Sequence, residues 1–578
     1  QSLDGVVHEG LSERLSSVFE AFGWNLIVLK YGRLQKDAFK EPGGNLLKKW
    51  IDDCPNQLYS ALIYEGGAAF KKRVLDDIGD QDIVSKLINK RSDNEFLELM
   101  ANLGGHCVPT LCDAFNGIKD DKPTAFIAYT IKGWGTPLAG HKDNHAGLMT
   151  KIQMDSFKSK FGITEGNEWN SFLDAKEDLE LNEFIKNSPF QKARHRKYNS
   201  KKIPVDDIIL ITETKISTQN AFGKILDQYA KNDTEFGNRI ITTSPDVSVS
   251  TNLGPWINKK GLFSRTDSSD TFRDRKIPSA QKWIFSSQGQ HIELGIAEMN
   301  LFLMLGAAGL SHELFGERLF PIGTVYDPFI ARGLDAMNYA CYQDARFMIV
   351  GTPSGVSLAP EGGAHQSIGT PLIGISQPGL LSYEPAFADE LSIIMNYGFN
   401  YLQDENGGSI YLRLTTRSIE QPLRDINHEL KQNVIKGGYW LRKPGPNPEI
   451  IIIYQGVVAS EAVEATGLFG ERFKDIGVLA ITSSDNLFQD WKNKYSSNEK
   501  NNKNSHIEDL LNTIPKDTKI VTVIDGHPMT LSWIGSVFGH KIIPLGVDKF
   551  GQTGSLNQLF SEFAIDSESI CNLGFNTK

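Results

Sequence analysis

Short apolar runs separated by helix-length amphipathic segments recur along this chain and set its architecture. Leu11–Phe22 carries apolar residues at helical spacing, and WNLIVLKYG (Trp24–Gly32) then reads as a strand. Helical periodicity dominates from Gly44 to Asn102, and TAFIAYTI (Thr124–Ile131) predicts a buried strand. The stretch from about Ser156 to Lys202 is charged, Asn-rich and without a strong strand. From Ile208 to about Thr416 the alternation returns, with RIITTS, RLFPIG, RFMIVG and SIYLRL as its strands. A third block, opened by the Pro/Gly turn RKPGPNP (Arg442–Pro448), has EIIIIYQG, GVLAIT, KIVTVIDG and KIIPLG. Inside it the Asn/Lys-rich KNKYSSNEKNNKNSH (Lys492–His506) predicts a surface loop. Apolar β-rich runs with helical spacers predict parallel sheets covered on both faces, hence three α/β units joined by linkers.

Composition narrows the function classes. At 578 residues the chain has room for roughly four domains. Its 60 Lys and Arg against 70 Asp and Glu leave a charge of −10, which argues against a broad basic face for nucleic acid. The basic cluster KARHRKYNSKK (Lys192–Lys202) accordingly reads as a solvated linker. The five cysteines are scattered without a CxxC pair, as in a reducing compartment rather than a disulfide framework or structural zinc site. No apolar run approaches the ~18 residues of a membrane span. The opening QSLDGVVHEG is polar, unlike a signal peptide. A cytoplasmic protein with no membrane or nucleic-acid partner is expected. The opening also lacks an initiating Met and starts in a turn-like segment, which predicts a native chain that begins earlier.

Ligand sites in open α/β sheets form where strands give way to loops, and five such places carry chemistry. KGWGTPLAGHKDNHAG (Lys132–Gly147) follows a strand, with His141 and His145 on one face if the segment is helical. No HExxH pattern accompanies them, so a mobile active-site segment suits it better than a metal site, with a plain surface loop as the alternative. TTSPDVSVSTNLG (Thr242–Gly254) places Asp246 among Ser and Thr, either to meet a polar ligand or to cap a helix. HIELGIAEMNLFLMLGAAGLS (His291–Ser311) predicts an apolar helix with Glu298 near its first turns. That carboxylate is either buried and in need of a partner or a helix-start residue serving the macrodipole. In GTVYDPFIARG, Tyr326 and Phe329 form an aromatic pair, either core or a platform for a heteroaromatic ring. TPSGVSLAPEGGAHQS (Thr352–Ser367) carries Glu361 and His365 in a Gly-rich loop, with His365 a candidate proton carrier.

Taken in order, these motifs resemble the thiamine-diphosphate-dependent transketolase-like superfamily, most of all its homodimeric pyruvate dehydrogenase type. The resemblance runs nearly end to end, through LDGVVHEGLSERLSSVFEAFGWNLIVLKYG, NLGGHCVPTLCDAF, DKPTAFIAYTIKGWG, HIELGIAEMN, GTVYDPF, EGGAHQ, LLSYEPAFADE and PLGVDKFGQTGSLNQLF. It implies three doubly wound α/β domains of the thiamine-diphosphate-binding type, the first N-terminally truncated. Residues 1–155 would be the C-terminal part of the diphosphate-binding domain and 156–205 a linker. Residues 206–430 would form the pyrimidine-binding domain and 431–578 the transketolase-like C-terminal domain.

By the same resemblance, Glu298 matches the glutamate that hydrogen-bonds the cofactor's aminopyrimidine nitrogen and so promotes loss of the thiazolium C2 proton. Tyr326 and Phe329 match the pair packed on the pyrimidine, and Asp246 an acidic residue near cofactor and substrate. His145, and less directly His141, match the active-centre loop histidine; His365 faces the substrate with Glu361 beside it. The implied reaction is oxidative decarboxylation of a 2-oxoacid, pyruvate or a relative such as 2-oxobutyrate. The acyl group would pass to the lipoyl group of a partner dihydrolipoamide acyltransferase.

The departures define the alternatives. HKDNHAG stands where transketolases have an HDVHG-like segment, EGGAHQ is intermediate, and DKFGQTG is closer to the dehydrogenase form. A transketolase or related carboligase is therefore the second reading. The family anchors Mg²⁺ and diphosphate with a Gly-Asp-Gly motif and a downstream Asn, and neither is found here. Gln1 aligns just after that Asn, where a backbone carbonyl would complete the metal's shell. One carbonyl cannot supply octahedral ligation, so a non-catalytic fragment or structural subunit is the third reading.

Overall fold

The computed structural model describes residues 10–79, 82–169, 179–188, 200–266, 268–470, 473, 475–496 and 504–576. They form two compact units, Gln1–Leu179 and Glu180–Lys578.

The first unit is mostly helical. Its two strands, Asn25–Leu29 and Thr124–Ala128, pair in parallel with Asn25 opposite Thr124. The helices between them place apolar residues at three- and four-residue spacing, which buries one face of each. Leu47, Phe70, Val74, Val84, Ile88, Phe96 and Met100 are fully enclosed there. Ser92 opens the helix Asp93–Ala101 with a reciprocal capping box to Glu95, which satisfies two otherwise orphaned N–H groups.

The second unit holds an eight-stranded and a five-stranded sheet. The larger runs, edge to edge, Leu380–Tyr383, Ser409–Arg413, Met348–Gly351, Phe320–Val325, Ile240–Ser244, His291–Glu293, Leu262–Phe263, Phe285–Ser286. All its neighbours are parallel. Every residue of Phe320–Val325, Met348–Gly351 and Ser409–Arg413 is buried, as strands covered by helices on both faces require. The smaller sheet runs Gly438–Arg442, Gly477–Ile481, Ile450–Gln455, Lys519–Ile524, Ile542–Leu545, with only the first strand antiparallel. One apolar core joins the two sheets, running from Phe222 and Leu391 through Val434 and Tyr439 to Ile452 and Val521.

Two segments differ from the sequence reading. His291–Glu293 is a strand, and the helix starts only at Glu298. Gly295 at φ +67° turns the chain between them, in a conformation that favours glycine. The predicted loop Lys492–His506 is partly helical: the helix Ser484–Ser496 runs into it and His506 starts another. Aromatic packing extends that helix, with Trp491 against Trp533 and Tyr495 against Trp491, and Lys494 pairs with Glu508. His141 and His145 lie in a loop, so the helical face that the two would share does not form.

Candidate functional site

Chain order across the large sheet reverses between Ile240–Ser244 and Phe320–Val325, and parallel α/β sheets open a crevice at such a switch point. Asp246, Glu298 and Tyr326 each follow one of three adjacent strands there, on the carboxyl side. His365 follows the next strand, Met348–Gly351, by way of a Gly-rich loop.

Glu298 is the first residue of the helix Glu298–Gly309 and is 9 % exposed. Tight packing at two glycines fixes that helix. A Cβ at Gly323 would meet Leu305 at 2.7 Å, and one at Gly333 would meet the ring of Phe302 at 2.1 Å. Glu298 Oε1 accepts a 2.5 Å hydrogen bond from Arg332 Nη1. The same guanidinium lies over the face of Phe329, 3.8 Å from its centroid. Phe329 and Tyr326 are nearly parallel, with centroids 6.0 Å apart and planes 23° from each other. His365 meets both edge-on, at 5.5 Å from Phe329 and 6.0 Å from Tyr326. Its Nδ1 is shielded from solvent without a hydrogen-bond partner, and the nearest carboxylate oxygen of Glu361 is 3.8 Å away. Glu298, Tyr326, Phe329, His365 and Glu361 are thus brought into one cluster, with Arg332 in its midst.

The His365 loop is braced from the C-terminal segment. Gln366 Nε2 donates to the carbonyl of Gln552 at 2.8 Å. A Cβ on Gly551 would sit 1.7 Å from the Gln366 amide oxygen, so only glycine allows that approach.

Asp246 is exposed, at φ +64°, and caps no helix. Its N–H instead donates to Glu293 Oε1 at 2.7 Å. Glu293 also accepts from Ser248 at 2.5 Å, and His291, fully buried, bridges Thr242 and Ser248. Burial pushes the Glu293 carboxyl up, but the bonds from His291, Ser248 and the Asp246 N–H outweigh it and hold it below the usual range. Sequence reading passed over this pair, since HIE looked like the start of a helix.

Behind the aromatic pair lies a buried charged hub that the sequence reading also missed. Arg413 Nε donates to Asp327 at 3.1 Å, its Nη1 to Glu384, and its Nη2 to the Asp525 carbonyl at 2.8 Å. Tyr411, Ser367 and Thr370 donate to Asp327, Gln455 to Glu384, and the Val356 N–H to the Asp525 carboxylate. Burial pushes Glu384 up to about 7 and Asp525 up to about 6, partly opposed by Arg413, whose own pKa is raised by these carboxylates against its burial. Asp327 sits between Tyr326 and Phe329 in sequence, so the hub anchors the segment that carries the platform.

His141 and His145 belong to the first unit. His141 packs edge-on against Tyr64 at 4.6 Å, and its Nδ1 accepts from the Asp143 N–H at 3.1 Å; His145 is exposed. In the same unit His106 stacks on Trp134 at 4.5 Å and accepts from the Ile131 N–H at 2.7 Å. Gln1 and most of the basic cluster Lys192–Lys202 lie outside the described residues. Lys201 and Lys202, at its end, pair with Glu235 and Asp404 at 2.9 Å.

The cluster fits the aminopyrimidine end of thiamine diphosphate: a buried carboxylate, a flat aromatic surface and a histidine with an orphaned nitrogen. Mg²⁺ is different. Among the described residues no three His, Cys, Asp or Glu side chains group as a metal site, so these residues do not fit its octahedral shell. Nor is any helix among them long and apolar enough to cross a membrane.

Residues 211–422 match the family model described as the pyruvate dehydrogenase E1 component middle domain. The chain is 24% identical over 511 residues to a pyruvate dehydrogenase E1 component of Cupriavidus necator, covering 83% of this chain and 55% of that protein. It is 25% identical over 604 residues to that of Pseudomonas aeruginosa, covering 98% and 66%. It therefore spans between half and two thirds of the length of these curated relatives. In fold it is similar to transketolase from Leishmania mexicana, with a TM-score of 0.56, 16% identity, and 86% of this chain and 68% of that one covered. Transketolase from Campylobacter jejuni gives a TM-score of 0.56 at 15% identity, covering 90% and 75%. Over residues 211–422 the chain thus matches a pyruvate dehydrogenase E1 component middle domain, and its fold is similar to that of the transketolases.

Proposed function

We propose that this chain performs the decarboxylation of a 2-oxoacid, pyruvate or a close relative such as 2-oxobutyrate, with thiamine diphosphate as cofactor. The observation that carries the reading is the grouping of Glu298, Tyr326, Phe329 and His365 outside adjacent parallel strands, inside the segment matched to the middle domain. When bound, the cofactor supplies an electron sink in its thiazolium ring.

The chain's part is to bind, orient and manage protons. Tyr326 and Phe329 offer an apolar surface to a flat heteroaromatic ring. Glu298 offers a buried oxygen to that ring's nitrogen, and a shared proton there is held more strongly than in water. His365 would exchange protons with the substrate, with Glu361 beside it. We assign the same work to His145, and more weakly to His141, and a polar contact at the rim to Asp246. Residues 206–430 are read as the pyrimidine-binding domain and 431–578 as the C-terminal domain. A homodimer and a lipoyl-bearing acyltransferase partner belong to the same reading, supported by the family alone.

Decarboxylation assayed side by side with pyruvate, 2-oxobutyrate and xylulose 5-phosphate tests it. Faster turnover of either oxoacid is expected. Preference for the ketose phosphate would move the chain to the transketolases, and no turnover of any would leave a structural subunit.

A further inference from the structure

Arg332 does in this structure what a bound aminopyrimidine ring would do. Its guanidinium is flat, carries N–H donors, lies 3.8 Å above the Phe329 centroid and hydrogen-bonds Glu298 Oε1 at 2.5 Å. Phe329 and Glu298 are two of the three groups assigned to the pyrimidine, Tyr326 being the third, so the arginine and the ring compete for the same acceptor and the same face. The arginine is also able to leave. Its side chain is 53% exposed, whereas that of Glu298 is 11% exposed, so the carboxylate is fixed and its partner is not.

The pairing has a chemical consequence as well. Arg332 occupies the Glu298 oxygen that would otherwise meet a ring nitrogen. While Arg332 is in place, Glu298 cannot serve both.

We propose that Arg332 is a resident occupant of the aminopyrimidine subsite, holding Glu298 and covering Phe329 until the cofactor's ring displaces it. The proposal rests on the cofactor reading above and adds to it a residue that sets cofactor affinity from within the site. Binding then includes the breaking of a half-exposed ion pair and a cation–π contact, which together weaken it by about fivefold to tenfold.

Isothermal titration with thiamine diphosphate and Mg²⁺ on the wild-type protein, Arg332→Gln, Glu298→Gln and the double variant tests this. Arg332→Gln is expected to bind about fivefold to tenfold more tightly than wild type. In the Glu298→Gln background the same change is expected to lose most of that gain, since the pair is already broken. A structural role for Arg332 would give no such dependence on Glu298. If wild type binds and Glu298→Gln weakens binding, but Arg332→Gln binds equally or less tightly, the occupant proposal is wrong and the cofactor reading stands. Absence of binding in every variant overturns both.

Discussion

Replacing Arg413 with methionine removes the guanidinium around which Asp327, Glu384 and Asp525 are arranged. The change keeps most of the side-chain volume, so the effect is electrostatic. Arg413 is 2% exposed, Asp327 not at all and Glu384 6%. Removing one partner of a buried pair costs about 3–5 kcal/mol, because the charge left behind has neither water nor a counterion. A domain of ordinary stability has about 5–15 kcal/mol in total, so the second unit should unfold at markedly lower urea.

The pH dependence sharpens this prediction. Burial raises Glu384 from its ordinary 4.5 to about 7 and Asp525 from 3.8 to about 6. Their folded pKa values exceed the unfolded ones, so the stability linked to their protons is present below about pH 4 and is lost as pH rises through 6–7. In Arg413→Met the opposing pull of the cation is gone, and both groups rise further. The variant's deficit should therefore be about 3–5 kcal/mol at pH 8 and shrink to about 1–2 kcal/mol at pH 5.5, where the acids are protonated. Urea unfolding followed by tryptophan fluorescence at the two pH values measures it. A loss under about 1 kcal/mol at pH 8, or an equal loss at both, would refute the idea that Arg413 holds ionised carboxylates together.

Two further changes probe the supports of the site. Gly333→Ala drives a methyl into the ring of Phe302 and should push the Glu298 helix outward, costing about 1–3 kcal/mol and weakening thiamine diphosphate binding; an unchanged melting temperature would show that the helix has slack. Glu293→Gln weakens the charge-assisted bonds from Ser248 and the Asp246 N–H, at about 1–3 kcal/mol. Because the Glu293 carboxyl is held low, its contribution is present above its unfolded pKa and lost as pH falls through the folded one. The variant should therefore approach wild-type stability in acid, and a gap that stays constant down to pH 3 would contradict this.

Much of the site could be read from the chain because its residues follow strands. Asp246 and Tyr326 come just after apolar β-rich runs, and His365 lies further along the loop that leaves another; local pattern finds such runs well. Pairings across long separations leave no such mark. Arg332 and Glu298 are 34 positions apart and Arg413 and Asp525 are 112 apart, and nothing local to either partner announces the other. Asp327 shows the difficulty most plainly: a buried Asp before Pro reads like a surface turn, and the aromatic residues on either side drew the functional assignment. His291 and Glu293 read as part of a helix because HIELGIAEMN runs straight into the apolar helical stretch that follows, and only the left-handed turn at Gly295 separates strand from helix.

Glu298 is proposed to act on the cofactor through its aminopyrimidine nitrogen. Hydrogen–deuterium exchange at the thiazolium C2 of bound thiamine diphosphate, compared between wild type and Glu298→Gln, tests it most directly. Glutamine keeps the shape and loses the shareable proton, so exchange should slow by about 10²–10⁴-fold with the fold intact. Exchange at the wild-type rate in the variant would contradict the assignment.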